Sequence, residues 1–115
     1  MTNILYGIPN CDTIKKARKW LEQEGVPYQF HDYRKDGITP ELIARFCDQL
    51  GWEQVLNKRG TTYRQLSDEQ KATLNAENAV ALLVDQPAMI KRPILQRQDT
   101  LHLGFSDTQY RALFS

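Results

Sequence analysis

The chain has 115 residues, 41% of them hydrophobic, and its 15 basic and 14 acidic side chains leave a formal net charge of +1. That size and composition fit a single domain over residues 1–115, large enough to fold on its own core without cross-links. Balanced charge gives no overall attraction for nucleic acid or anionic lipid. No apolar run approaches the ~20 residues of a membrane span, and residues 1–6 lack a signal pattern. The expectation is a cytoplasmic monomer with no membrane or nucleic-acid partner.

Two cysteines, Cys11 and Cys47, and two histidines occur without CxxC or HxxxH spacing. Neither a disulfide framework nor a metal site is therefore expected. Ile4-Leu5-Tyr6 is a short apolar run closed by Gly7 and Pro9, which predicts a buried strand and a sharp loop. Residues 12–24 predict a helix with Ile14, Ala17 and Trp20 or Leu21 on its apolar side. Gly25 stops it and Pro27 bars its continuation. Tyr28 to Tyr33 alternates aromatic and polar residues, the period of a strand. This βαβ unit carries two parallel strands with a right-handed crossover.

Thr39-Pro40-Glu41 opens a second helix, which places Leu42, Ile43, Phe46, Cys47 and Leu50 on one face and ends at Gly51. A helical turn is expected over Trp52–Leu56, and a polar loop over Asn57 to Thr62. Ser67-Asp68-Glu69-Gln70 is a capping signature for a short helix. Ala76 to Gln86 predicts another helix, with Val80, Leu83 and Val84 inward. Ile94–Gln96 and Thr100–Leu103 predict a hairpin turning at Arg97-Gln98-Asp99. Ser106-Asp107 then caps a last helix carrying Tyr110, Leu113 and Phe114. The order βαβ, helices, ββα is a thioredoxin-like α/β layout around a mixed four-stranded sheet. The helices of about 39–86 read as an insertion. Cys47 reads as core packing, because apolar spacing on a helix is mostly a buried face.

Cys11 lies where a strand-to-helix loop becomes a helix. The first N–H groups of a helix are unpaired, and its dipole is positive at that end. A thiolate there is stabilised, so the expected thiol pKa lies below its free value of about 8.5. Lys15, one turn on, would add to this. Such a thiolate is a nucleophile at neutral pH. Ile14 stands three residues after it and Ile8 three before, so exchange inside a CxxC is excluded. The reaction then needs an external thiol, such as glutathione, or the distant Cys47. Asn10 and Thr13 flank the cysteine, and Thr13 is placed to donate to a bound group.

A second constellation is Ile90-Lys91-Arg92-Pro93-Ile94-Leu95. Proline just before the third strand of a thioredoxin-like fold is commonly cis and faces the cysteine. Pro93 has that position. Arg92 then presents a guanidinium suited to bidentate binding of a carboxylate or oxyanion. Arg59, beside Lys58 in the polar loop, is a further basic point.

Taken together, Tyr6 to Ala17, Asn57 to Tyr63 and Ile90 to Leu95 resemble the ArsC/Spx family, in particular its YffB-like branch. The resemblance spans essentially the whole chain. It implies a thioredoxin-like fold with a helical insertion. In arsenate reductases of this kind the matching cysteine attacks arsenate, arginines hold the oxyanion, and glutathione and glutaredoxin complete the reduction. Cys11 matches the cysteine and Arg92 the arginine of the Arg-Pro motif. Gly7 stands where those enzymes carry histidine, and Asn57 where they carry a loop arginine. A further C-terminal arginine has no counterpart around His102-Leu103-Gly104.

The leading expectation is a glutathione-dependent thiol–disulfide oxidoreductase. Cys11 is its nucleophile, and Arg92, Arg59, Thr13, Asn10 and Pro93 hold the substrate or glutathione. No bound cofactor is expected; glutathione is the co-substrate and glutaredoxin a partner. Two alternatives stay open: arsenate reduction through the same cysteine, and a non-enzymatic Spx-like regulator that binds RNA polymerase.

Overall fold

A computed structural model describes residues 3–114. Two compact units emerge: Met1–Gly37 together with Arg92–Ser115, and the intervening Ile38–Lys91.

The first unit is built on a four-stranded sheet. Its strands are β1 (Asn3–Gly7), β2 (Gln29–Asp32), β3 (Ile94–Arg97) and β4 (Thr100–Leu103). They lie in the order β2-β1-β3-β4. β1 runs parallel to β2 and antiparallel to β3, and β4 closes a hairpin on β3. This is the thioredoxin-like arrangement. Helix α1 (Asp12–Gln23) makes the crossover between β1 and β2. Its buried side is Ile14, Ala17, Trp20 and Leu21, as the sequence periodicity requires. Its end is set by Gly25 at φ +67°. The Gly25 N–H donates to Glu22 O at 3.2 Å and the Val26 N–H to Leu21 O at 2.9 Å. That pair of bonds satisfies carbonyls the helix would otherwise leave open.

One face of the sheet packs Leu5 and Leu95 against Ala17, Trp20, Leu21 and Tyr110, with Phe30, Phe105 and Phe114 around them. Tyr110 belongs to the last helix of the chain, Asp107–Phe114. Trp20 meets its ring edge-on, with centroids 5.6 Å apart, and donates its indole N–H to Asp107 Oδ2 at 2.9 Å. The Tyr110 hydroxyl is buried without a hydrogen-bond partner. Burial pushes this phenol above its ordinary range.

The unfolded chain ionises that phenol near pH 10. Its contribution to stability is therefore complete below about pH 10 and is lost as pH climbs beyond it. Tyr110→Phe removes this loss. Denaturant titration at pH 7 and pH 11 is expected to show the variant gaining about 1.4 kcal/mol on the parent between the two. Equal losses in both proteins would contradict this.

The second unit is helical. Helix α2 (Pro40–Leu50) is capped by Thr39, whose Oγ1 accepts the Leu42 N–H, with proline at its first turn. It buries Ile43 and Phe46, while Cys47 lies at the margin of that face, half-buried. Helix α3 (Trp52–Val55) follows directly. A single turn, α4 (Thr61–Arg64), begins inside the stretch expected to be loop. Helices α5 (Asp68–Ala72) and α6 (Ala76–Asp85) each start with a capping box, on Ser67 and Asn75. In α6 the fully buried residues are Ala79 and Leu83, with Val80 and Val84 only partly covered. Ala79 and Leu83 stand four residues apart on one face of the helix, and that face, not the one carrying Val80 and Val84, is turned fully inward. A 3-10 turn at Pro87–Met89, absent from the sequence reading, leads out of α6. The last helix of the chain, in the first unit, is α7.

Candidate functional site

Cys11 is the N-cap residue of α1, in extended backbone at φ −101° and ψ 128°. Its carbonyl accepts the Lys15 N–H at 3.0 Å, the first bond of the helix. The side chain makes no capping hydrogen bond and is partly exposed. The thiol is thus held at the positive end of a twelve-residue helix without being used to close it.

The sequence folds this way because Gly7 permits a close approach. A Cβ there would lie 2.9 Å from Ile14 Cγ1 and closer still to Cδ1. Strand β1 can therefore run directly onto α1. Ile8 is 4% exposed and anchors the loop, and its carbonyl accepts the Cys11 N–H at 3.3 Å. Pro9 and Asn10 are exposed beyond it.

Two other elements converge on the same level of the sheet. Tyr6 pairs with His31 of β2 on one side and with Ile94 of β3 on the other. The ladder to β2 continues past the strand end, since the Tyr33 N–H donates to Gly7 O at 3.0 Å. That bond sets Tyr33 beside Ile8 on the β2 side, while on the β3 side Arg92 and Pro93 immediately precede Ile94, the partner of Tyr6. The Arg92–Pro93 bond is cis, and Pro93 is buried. The Pro93 carbonyl accepts the Gly104 N–H at 2.9 Å, which fixes this edge to the end of β4.

Arg92 is half-buried. Tyr33 is 2% exposed, stacks on Tyr6 with centroids 6.4 Å apart, and its hydroxyl has no hydrogen-bond partner. Burial raises the Tyr33 phenol above its ordinary range; the neighbouring Tyr6 adds to this and the Arg92 charge opposes it. The Tyr6 hydroxyl donates to Gln96 Oε1 at 3.0 Å. Tyr33 was not among the residues singled out from sequence. Its signal was there: strand alternation puts it on the face of His31 and Tyr6.

Of the sequence-derived residues, Cys11, Arg92, Pro93, Thr13, Asn10 and Lys15 all belong to the first unit. Thr13 is partly exposed in the first turn of α1, and Lys15 lines a surface groove with Arg18, Lys19 and Glu22. Arg59 belongs to the second unit. It is exposed, and its N–H donates to Asn57 Oδ1 at 3.1 Å. That loop is tied down by Asn57 N–H to Met89 O at 2.8 Å and by Lys91 N–H to Val55 O at 2.7 Å. Among the described residues, no group of three His, Cys, Asp or Glu side chains is arranged to hold a metal. No helix among them is long and apolar enough to cross a membrane.

Cys47 differs from Cys11 in environment. Burial pushes its thiol upward, toward the neutral form. Only the thiolate reacts with alkylating agents. Limiting iodoacetamide at pH 7.5 is therefore expected to label Cys11 at least about tenfold faster than Cys47, read by peptide mass mapping. Comparable labelling of both would contradict the distinction.

Comparison with known proteins aligns with this geometry. The model of the ArsC family matches residues 6–113. An uncharacterized protein of Haemophilus influenzae is 40% identical over 111 residues, covering 96% of this chain and 97% of its own. The solved YffB protein superposes with a TM-score of 0.93 at 46% identity, covering 98% of this chain and 99% of that one. An arsenate reductase related protein from Brucella melitensis is 47% identical with a TM-score of 0.82, covering 99% and 95%. The global transcriptional regulator Spx of Staphylococcus saprophyticus is 24% identical over 109 residues, covering 93% of this chain and 82% of the regulator.

Proposed function

The chain belongs to the ArsC family, and from that premise we propose that it is a glutathione-dependent thiol–disulfide oxidoreductase with Cys11 as its single nucleophile. The observation that carries this reading is the uncommitted, accessible Cys11 side chain at the N-cap of α1, tied through Ile8 to the level of Arg92 and the cis proline. The Cys11 thiolate attacks the glutathione sulfur of a mixed disulfide. The S–S bond breaks and the substrate leaves as a thiolate that takes a proton. A second glutathione thiolate then attacks the Cys11–glutathione disulfide, releasing oxidised glutathione and the free cysteine. One free glutathione is consumed in all: it joins the glutathionyl group taken from the mixed disulfide as oxidised glutathione, and the substrate sulfur returns to a thiol. Arg92 binds a glutathione carboxylate, with Thr13, Asn10 and the Pro93 edge beside it. In this reading the protein works as a cytoplasmic monomer, with glutaredoxin as a partner.

Two relatives favour other readings. The Brucella protein is named as related to arsenate reductase. Against arsenate here, the loop position that carries arginine in those enzymes is Asn57, whose carboxamide is engaged by Arg59 N–H. Each missing charge-assisted contact costs on the order of 1.5–3 kcal/mol of oxyanion binding. Against an Spx-like sensor, Ile14 replaces the second cysteine of a CxxC and is fully buried.

The test couples oxidised-glutathione release to NADPH consumption by glutathione reductase, with a glutathionylated peptide as substrate. Parallel reactions contain arsenate, glutathione and glutaredoxin. Turnover with the peptide and none with arsenate is expected. The reverse pattern overturns the proposal in favour of arsenate reduction. Turnover with neither, together with near-stoichiometric capture of RNA polymerase, overturns it in favour of a regulator.

A further inference from the structure

A buried hydroxyl without a partner is costly relative to one that is hydrogen-bonded, and such a group calls for an explanation. Tyr33 has one at 2% exposure. Phenylalanine would fill the same space beside Tyr6 without that cost. Tyr33 follows β2 directly and bonds Gly7, and Arg92 stands two residues before Ile94, which pairs with Tyr6 from the other side. The nearby Tyr6 hydroxyl is already committed to Gln96. Tyr33 therefore has an open acceptor at the end of the sheet that also carries Arg92 and the Ile8 carbonyl to which the Cys11 N–H is bonded.

We propose that Tyr33 is a positioning residue for Arg92, its buried hydroxyl accepting a guanidinium N–H when an anionic substrate group draws that side chain toward Cys11. The inference rests on the reading of Arg92 as the anion-binding group in the proposed function. Tyr33 touches no substrate in this scheme. It restricts the guanidinium to the orientation in which the remaining N–H groups face the ligand. The influence of the Arg92 charge on the Tyr33 phenol agrees with their adjacency. Arg92 acts on any carboxylate presented near the thiol, so the effect is not confined to glutathione.

Iodoacetate and iodoacetamide react with Cys11 by the same displacement. They differ in charge and are close in size. The ratio of their second-order rate constants, divided by the same ratio for a free small thiol, reads anion recognition at Cys11 independently of any turnover. It is measured by mass mapping of Cys11 in the full chain, for the parent, Arg92→Gln and Tyr33→Phe. The expected result is a parent ratio above that of the free thiol, lowered about tenfold in both variants, with the iodoacetamide rate unchanged in Tyr33→Phe. A ratio that falls in Arg92→Gln and is unchanged in Tyr33→Phe overturns the role of Tyr33 and leaves the Arg92 reading intact. A ratio unchanged in both overturns the Arg92 reading and this inference with it. If the iodoacetamide rate in Tyr33→Phe falls as far as the iodoacetate rate, Tyr33 acts on the thiol's surroundings and the positioning role fails. Tyr33→Phe removes a hydroxyl that bonds nothing, so folding is expected to be preserved.

Discussion

Cys11→Ser is expected to abolish glutathione-coupled turnover, by on the order of a thousandfold or more, with little change in stability. The first part follows from chemistry. A serine hydroxyl is not ionised at neutral pH and forms no disulfide, so the covalent intermediate is lost. No second route is available within the loop, because Ile14 occupies the position from which a partner cysteine would act. The second part follows from structure. The Cys11 side chain makes no capping bond, and its backbone bonds to Ile8 and Lys15 are independent of side chain. Serine is moreover a favoured N-cap, worth up to about 1 kcal/mol where its oxygen bonds the first turn. The variant is thus expected to melt at or slightly above the parent temperature while inactive. Full activity in Cys11→Ser, lost instead in Cys47→Ser, would reassign the nucleophile.

Gly7→Ala is expected to destabilise the protein by about 2 kcal/mol, because the new methyl overlaps Ile14. Gly7 does not owe its identity to a left-handed backbone, since it is absent from the positive-φ glycines. It is glycine because Ile14 lies against it. Ile14 is fully buried in α1, and a β-branched side chain in a helix has one dominant χ1 rotamer, which fixes Cγ1, so turning the tip alone does not relieve the contact. Ile14→Val removes the Cδ1 atom, the nearest obstacle. A double-mutant cycle by denaturant unfolding is therefore expected to show Gly7→Ala costing about 1 kcal/mol less in the Ile14→Val background than in the parent. Equal costs in both would show that the two positions do not interact. The same contact bears on function. A histidine at position 7, as in the arsenate reductases that the motifs resemble, has no room while Ile14 stands where it does.

Much of the frame was legible in the sequence because it is written in local pattern. Ile14, Ala17, Trp20 and Leu21 mark α1 by their spacing, and Gly25 marks its end. Thr39-Pro40 and Ser67-Asp68-Glu69-Gln70 mark helix starts by cap chemistry alone. The cysteine at the strand-to-helix corner and the Arg-Pro step before β3 were likewise visible as positions. What stayed hidden depends on register between distant strands. Tyr33 and Arg92 come to the same end of the sheet only because β2 and β3 both pair with β1, and no local spacing records two such offsets. The four-residue turn Thr61–Arg64 is too short to show helical periodicity, so its polar composition read as loop. The contact of Gly7 with Ile14 crosses from strand to helix, and a lone glycine between an apolar run and a proline reads simply as a loop signal.

The central claim is that Cys11 carries glutathione through a reversible mixed disulfide. Treating the full chain with one equivalent of oxidised glutathione, followed by intact mass and peptide mapping before and after excess reduced glutathione, tests it most directly. The account predicts a single glutathione adduct on Cys11 that the reduced thiol removes, with Cys47 unmodified. An adduct confined to Cys47, or none on either thiol, would contradict it.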